Sequence, residues 1–472
     1  MVLWIGVDDT DSLSGMCTTF LATEIVRDLT QDLDLIGYPR LVRLNPNIPW
    51  KTRGNGAVCI RVGNGSGPTS IVGLIGEQPI VSYGRGTSPQ DMAAVIDRVA
   101  RLVERWSRFD DPTTNPAFVV LKTPPTAGLY WKAVRGVVSK RLAQASARGR
   151  GFLRPYKNGR GLIGALAAVA WRPRDRTYEI LTYRGRPAWG TTRQIDPESV
   201  VRMDKAFPST FNNYDYVSER VVIAPHSPCP VLFGIRGDDP SVLPAAMNSV
   251  QGERPERWLV FETNQGTDDH VSRFCPSRRC ATVRLSGVVR SPARILRGGH
   301  VVFRLGELDV TAYEPSKGFR SIVRNLVAGD HVQVIGAIRQ SPRTVNLEKL
   351  FVESTASVTR KVANPWCSPC QKRAKSLGRG TGFRCARCGR RFPESAAIFA
   401  RVDREILPGW YEPPVFARRH LAKPVKRMRN QIMPGFVEQT GPRKGLSFVV
   451  LSPQAPGSSS RAREILLLDS EE

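Results

Sequence analysis

Two pairs of cysteines, Cys367-Ser-Pro-Cys370 and Cys385-Ala-Arg-Cys388, restrict what this chain can fold into more than any other feature, with fourteen residues between the two knuckles. Thiolates at that spacing close a tetrahedral shell around zinc, and four protein ligands leave no open coordination position. We therefore expect a zinc ribbon over residues 361–395, with a structural Zn²⁺ held by Cys367, Cys370, Cys385 and Cys388. The other five cysteines, Cys17, Cys59, Cys229, Cys275 and Cys280, lack such spacing, and an odd total of nine does not read as a disulfide framework. Eight Lys or Arg residues and no acid lie between Cys367 and Arg391. Charge on a rigid, metal-stapled knuckle suits the phosphate backbone of RNA, which assigns RNA contact to Arg379, Arg384, Arg387 and Arg390. A merely solvated basic face is the competing reading.

At the other end, the apolar run 2–5 leads directly into Gly6-Val7-Asp8-Asp9-Thr10-Asp11-Ser12. Three carboxylates so close raise one another's pKa unless a cation sits between them, and hard oxygen ligands suit Mg²⁺ carrying a nucleotide phosphate. Gly15-Met16-Cys17-Thr18-Thr19 then turns into an apparent helix over 20–29. A helix start presents free N–H groups and a positive dipole end, so phosphate is favoured there. The expectation is strand, acidic metal loop, glycine turn and phosphate-facing helix start, with Thr10, Ser12, Gly15 and Thr19 beside ATP. Asp and Thr are also ordinary turn and N-cap residues, and that reading stays open.

A chain of 472 residues exceeds what one hydrophobic core supports, so several domains are expected. Sixty-nine Lys and Arg against 42 Asp and Glu give a net charge of +27, which points to a polyanionic partner. No stretch approaches the roughly 20 apolar residues needed to span a bilayer. Acids within the first ten residues and the lack of a basic n-region exclude the signal-peptide pattern, so the expected location is cytoplasmic.

Strand and helix patterns alternate over 1–125, including an amphipathic stretch 89–107 whose apolar stripe belongs to a core. Pro124-Pro125 marks the expected boundary to a second α+β region, 126–275, opening with a helix near 130–145. Its Gly159-Arg160-Gly161 run fits phosphate binding and tight packing equally well. Region 276–360 changes character. Gly306 divides one of its four strand-like runs, and five short strands with a helix between the third and fourth fit an OB-fold barrel, which accepts single-stranded or looped nucleic acid. The remainder, 396–472, is a basic extension and tail in which Arg418, Arg419, Lys423, Lys426, Arg427 and Arg429 fall beside Trp410, Tyr411 and Phe416. We assign Arg418 and Arg419 to RNA contact, a flexible solvated arm being the alternative.

Residues 6–12 with 15–19, 159–165, 202–205 with 210–213, 225–234, 263–268, 299–303, the knuckles and 417–424 follow one another in an order that resembles the archaeal tRNA(Ile) 2-agmatinylcytidine synthetase family over nearly the whole length. The resemblance implies a multidomain α+β architecture: an ATP-dependent kinase-like α/β domain acting on a threonine and on cytidine, a ferredoxin-like domain, an OB-fold and a zinc ribbon. It implies ATP-dependent attachment of agmatine to the 2-position of the wobble cytidine in an isoleucine tRNA with a CAU anticodon, ATP passing to AMP. Phosphorylation turns the poor leaving group at the 2-position into a good one, and the amine of agmatine then displaces phosphate. By the same resemblance Asp8, Asp9 and Asp11 hold Mg²⁺ and the ATP phosphates, and Thr18 is the threonine that becomes phosphorylated; on its own residues Thr18 reads as an N-cap hydroxyl. Agmatine calls for carboxylates, and Asp196, Glu198 and Asp204 lie near the matched 202–205 motif. The sequence identifies no general base. A noncatalytic RNA-binding protein built on the OB-fold and ribbon is the alternative.

Overall fold

Alternation decides the first strand. In β1 (Leu3–Asp8), Leu3, Ile5 and Val7 are fully buried on one face, while Gly6 lies on the other, where a side chain would meet the Ala165 carbonyl oxygen at 2.4 Å. The computed structural model describes residues 2–272, 280–341 and 343–431. Cys275, the side chain of Arg429 and the Ser-rich, acidic end of the 396–472 region lie outside the described residues.

The chain continues through α1 (Thr18–Leu29), β2 (Asp34–Ile36), β3 (Arg40–Arg43), β4 (Gly56–Ile75), β5 (Gln78–Thr87), α2 (Met92–Trp106), β6 (Ala117–Leu121), α3 (Ala127–Arg135), α4 (Lys140–Ser146), β7 (Gly151–Pro155), α5 (Gly161–Ala170) and β8 (Thr177–Tyr183). After α6 (Pro197–Ala206) come the short β9 (Thr210–Phe211), β10 (Tyr214–Asp215) and β11 (Arg220–Val221), then β12 (Val231–Gly237), α7 (Leu243–Ser249), β13 (Arg257–Thr263) and β14 (Val271–Ser272). One sheet runs β7-β6-β1-β4-β3-β13-β8-β12-β9, with β2 and β5 joined to β4. Helices α1 and α2 cover one face through Phe20, Ile25, Val95, Val99 and Val103, and α3, α4 and α5 cover the other through Tyr130, Ala143, Leu162 and Leu166. Helix α5 is small and apolar all round, which lets its backbone approach β1 closely.

Three features depart from the sequence expectations. The helix expected near 130–145 is two helices, because Gly136 ends α3 and the Ser139 hydroxyl accepts the Leu142 N–H to start α4. The strand expected at 57–62 extends into a long hairpin with β5, whose exposed Ser, Thr and Gly residues give no apolar alternation. Pro124-Pro125 carries a connection and not the end of the sheet, since β7 pairs with β6 beyond it.

The third region closes on itself. Strands β15 (Thr282–Ile295), β16 (Val301–Leu305), β17 (Leu308–Ala312), β18 (His331–Gln340) and β19 (Arg343–Ser354) pair in the order β15-β16-β17-β19-β18, and β18 returns to β15. This five-stranded barrel carries α8 (Gly318–Arg324) between its third and fourth strands, and Gly306 turns the chain between β16 and β17 in the left-handed region at φ 57°. A two-stranded stalk, β20 (Val358–Ala363) against Ile398–Val402, brackets the cysteine knuckles. Gly409–Tyr411 pairs with β19, and residues 412–428 then cross back over the N-terminal sheet. Among the described residues no helix is long and apolar enough to cross a membrane.

Candidate active site

The acidic run becomes a site through its backbone. Asp9 adopts φ 59° directly after β1, and Met16 adopts φ 63° before α1, so the strand exit and the helix start are bent toward one another. The Ser12 N–H donates to the Gly15 carbonyl at 3.0 Å and closes the turn between them. Thr18 is the first residue of α1; Cys17 occupies the cap position, and no side chain caps the helix. The Thr10 hydroxyl donates to the Thr18 Oγ1 at 3.0 Å, so Thr10 stands behind Thr18.

Asp8, Asp9, Asp11, Thr18 and Thr19 line one cavity of about 420 Å³. Thr10 and Ser12 are fully buried behind it, and Gly15 belongs to the turn. Asp9 accepts from Arg160 Nη2 at 2.9 Å, from the Asn115 N–H at 3.2 Å and from the Thr52 hydroxyl at 3.1 Å. Asp11 accepts from Arg53 Nε at 2.6 Å. Asp8 has no ion pair among the described residues. Burial, then the neighbouring Asp9 charge, push its carboxyl well above the usual range. Its carboxylate lies against α5 where only glycine fits, because a Cβ on Gly164 would fall 1.8 Å from Asp8 Oδ2. Burial raises Asp9 as well, with Arg160 opposing.

The remaining cavity wall was not legible from motifs. Arg43, Lys51, Thr52, Arg53, Arg160, Glu179, Arg236, Phe416 and His420 belong to it, together with apolar residues and with Pro225, His226, Ser227 and Cys229 of the 225–234 stretch. Arg160 sits inside the glycine run, for which the sequence leaves phosphate binding and tight packing both open, and His420 inside the 417–424 stretch, singled out without a role of its own; Arg53, Glu179 and Arg236 carry no local signal. Glu179 is the one cavity carboxylate outside the acidic loop among the described residues, and it accepts from Arg236 Nε at 2.9 Å and Gln265 Nε2 at 2.5 Å.

Asp196, Glu198 and Asp204 do not line this cavity. Asp196 accepts the Glu198 and Ser199 N–H groups as the N-cap of α6, Glu198 is exposed, and Asp204 is taken up by the Asn213 amide at 2.8 Å and the Tyr216 hydroxyl at 2.7 Å. Their helix faces them away because α6 buries Val200 and Met203 instead.

The four knuckle cysteines bring one sulfur each into a cluster, all within 4.8 Å of one another. Backbone N–H groups of Cys388 and Arg387 point at Cys385 and favour its thiolate, lowering it to about 6. Four thiol ligands with that spacing, three buried and Cys388 exposed, fit a tetrahedral zinc. Around them Arg379, Arg384, Arg387 and Arg390 are exposed. Arg418 and Arg419 differ. Arg418 pairs with Glu412 at 3.1 Å and donates to Asn212 Oδ1 at 2.9 Å, while Arg419 pairs with Glu348 at 2.8 Å. Both charges are already matched within the chain, so they fasten residues 412–428 to the sheet and the barrel. Replacing Arg379, Arg387 and Arg390 by alanine therefore lowers RNA affinity and flattens its log–log salt slope by about 0.7–0.9 for each phosphate left without its arginine. Replacing Arg418 leaves the slope unchanged and lowers thermal stability. Filter-binding titrations across a salt series check both; equal slopes for parent and ribbon variants would contradict the assignment.

Residues 4–156 match the family model described as the TiaS TCKD domain, 159–270 the TiaS FLD domain, and 364–406 the TiaS C-terminal zinc ribbon domain. The chain is 37% identical over 443 residues to the tRNA 2-agmatinylcytidine synthetase TiaS of Methanocaldococcus jannaschii, covering 90% of this chain and 99% of that one. Its fold matches the crystal structure of TiaS in complex with its isoleucine tRNA and ATP, with a TM-score of 0.77 at 37% identity, over 91% of this chain and 98% of that one. It matches the complex of TiaS with the same tRNA, AMPCPP and agmatine with a TM-score of 0.76 at 35% identity and the same coverage.

Proposed function

Because the chain belongs to the tRNA 2-agmatinylcytidine synthetase (TiaS) family, we propose a route by which its cavity performs that reaction. The protein is an ATP-dependent enzyme that attaches agmatine to an isoleucine tRNA, with ATP, agmatine and the tRNA as its substrates. We read 1–125 as the core of the kinase-like unit and 126–275 as ferredoxin-like. The antiparallel trio β13-β8-β12 with α6 and α7 packed on one face supports the second reading. A tRNA substrate and an ATP supply fit a cytoplasmic location.

The acidic loop suits a dication. Asp8 is a buried carboxylate with no ion pair among the described residues, flanked by two more carboxylates, and oxygen donors of this kind are the ligands Mg²⁺ prefers. Asp8, Asp9 and Asp11 would hold Mg²⁺, which supplies charge compensation for the phosphates of ATP. Arg160 and Arg53 fix two of these carboxylates in orientation. The uncapped start of α1 leaves N–H groups free for phosphate oxygens.

Thr18 lies at that helix start among the residues that line the cavity, and Thr10 donates to its oxygen, which fixes its hydroxyl in orientation. In our reading Thr18 Oγ1 attacks the γ-phosphorus, the bond to the β-phosphate oxygen breaks, and the hydroxyl proton leaves to solvent. A second phosphoryl transfer, of the β-phosphoryl group of the ADP so formed, goes to the 2-oxygen of the wobble cytidine: the bond to the α-phosphate oxygen breaks, AMP is left, and the 2-oxygen becomes part of a leaving group. Agmatine's cationic end needs a carboxylate, and Glu179 is our candidate in place of Asp196, Glu198 and Asp204. The observation that carries the reading is the convergence of Asp8, Asp9, Asp11 and Thr18 on one cavity at an uncapped helix start.

Incubation with γ-labelled ATP and Mg²⁺ tests it. Label appears on the parent protein at Thr18, persists with Thr18→Ser and disappears with Thr18→Ala. Undiminished labelling of Thr18→Ala would overturn the assignment.

A further inference from the structure

Acidic loop and Thr18 account for phosphoryl transfer, but the attacking amine still needs somewhere to put a proton. Agmatine's primary amine is an ammonium ion near neutral pH and has no lone pair to attack with until it loses one. Most acceptors in the cavity are occupied. Asp9 is held by Arg160 and Thr52, Asp11 by Arg53, Glu179 by Arg236 and Gln265, and His226 lies 2.6 Å from Arg220.

His420 is different. Its backbone is pinned on both sides: the Gly266 N–H donates to the His420 carbonyl at 2.8 Å, and the Asp268 N–H donates to the Leu421 carbonyl at 2.8 Å, with the Leu421 side chain buried in the α3–α5 core. Its imidazole opens into the cavity and makes no hydrogen bond among the described residues. Nε2 faces the loop that carries Thr52 and Arg53, 3.6 Å from the point a Cβ on Gly54 would occupy. The charged groups facing it are Arg43 from β3 and Arg236 from β12; on its own segment Arg418, Arg419 and Lys423 are paired with Glu412, Glu348 and Asp175. Although solvent reaches the residue, the Arg43 charge first, then desolvation by the surrounding protein and the Arg236 charge, hold the imidazole well below the ordinary histidine range, which favours the neutral form of a proton acceptor. The same positive field lowers the pKa of an ammonium brought beside it.

We propose that His420 is the general base for the amine in the transfer step, an inference that rests on the amine-transfer reading above. Nε2 takes one proton from the ammonium. The freed lone pair forms the C–N bond at C2 of the phosphorylated cytidine, the C2–O bond breaks with its electron pair leaving on phosphate, and the second amine proton departs as hydrogen phosphate.

The experiment compares parent and His420→Gln, as full chains, on two nucleophiles: agmatine, and its analogue carrying an aminooxy group in place of the amine, which is already neutral near pH 7. With agmatine the variant's rate of base modification falls by about 10²–10⁴-fold, and climbs with pH as free amine accumulates. With the aminooxy analogue it stays within about tenfold of the parent, which also demonstrates a folded, tRNA-competent variant. Equal losses on both nucleophiles, or no loss with agmatine, would overturn the role of His420. A parent that binds tRNA yet modifies nothing would overturn the transfer reading itself.

Discussion

Replacing Asp8 by asparagine lowers agmatine transfer by about a thousandfold or more while raising the melting temperature of the metal-free protein above that of the parent. The two effects have opposite signs for one reason. Asp8 is buried beside Asp9 and Asp11, so its charged form is costly in the folded chain unless a cation, as in our proposal, compensates it. A carboxyl whose folded pKa exceeds its unfolded value binds protons more tightly when folded. Stability is then highest below the unfolded pKa and is lost as pH rises through the folded one. Asparagine removes that titration, so the variant's melting temperature falls less over the same pH window. It also removes the ligand charge, so added Mg²⁺ stabilises the parent and not the variant. Calorimetry in chelator and in Mg²⁺, with nucleoside mass analysis for activity, reads all of this. A variant that is active within tenfold, or less stable than the parent without metal, would contradict the placement of Asp8.

Replacing Cys385 by alanine unfolds residues 366–392 and leaves the large sheet and the barrel intact. The ribbon has almost no apolar core of its own: beyond the cysteines it buries Ala374, Phe383 and Ala397, with Phe392 packed alongside. Zinc contributes about 10–16 kcal/mol to such sites, far more than those side chains can. The two stalk strands bracket the ribbon, and its buried side chains cluster among themselves, so its loss propagates little. With it go the exposed Arg379, Arg384, Arg387 and Arg390, and leaving about four phosphates without their cations lowers tRNA affinity by about a hundredfold at physiological salt. Hydrogen exchange localises the unfolding, and a salt series measures the affinity. Protection of 366–392 equal to the parent, or unchanged affinity, would contradict this account.

What could be read from the sequence was what neighbours in the chain decide. The cysteine knuckles, the strand 3–7 with its acidic exit, the amphipathic α2 and the strand–helix order of the barrel are local patterns with local physics. The β4–β5 hairpin was not legible, because its Ser, Thr and Gly residues face solvent and show no apolar alternation. Nor was the break at 136–139, where one glycine and one serine cap divide a helix that periodicity alone extends. The cavity divides in the same way. Asp8, Asp9, Asp11 and Thr18 lie within eleven residues, whereas Arg160 reaches Asp9 from 151 positions away and Arg53 reaches Asp11 from 42. The basic C-terminal segment misleads for a related reason. Its charge density suits RNA, but Arg418, Arg419, Lys423 and Arg427 are paired with the nearby Glu412 and with Glu348, Asp175 and Asp238, which only the fold brings there.

The most direct measurement is to incubate the full chain with ATP, Mg²⁺, labelled agmatine and an isoleucine tRNA bearing a CAU anticodon, and then to analyse its nucleosides by mass. The account predicts agmatine at the wobble cytidine of that tRNA, dependent on ATP and lost with Asp8→Asn. Tight tRNA binding with no incorporation would contradict it and leave an RNA-binding protein in place of an enzyme.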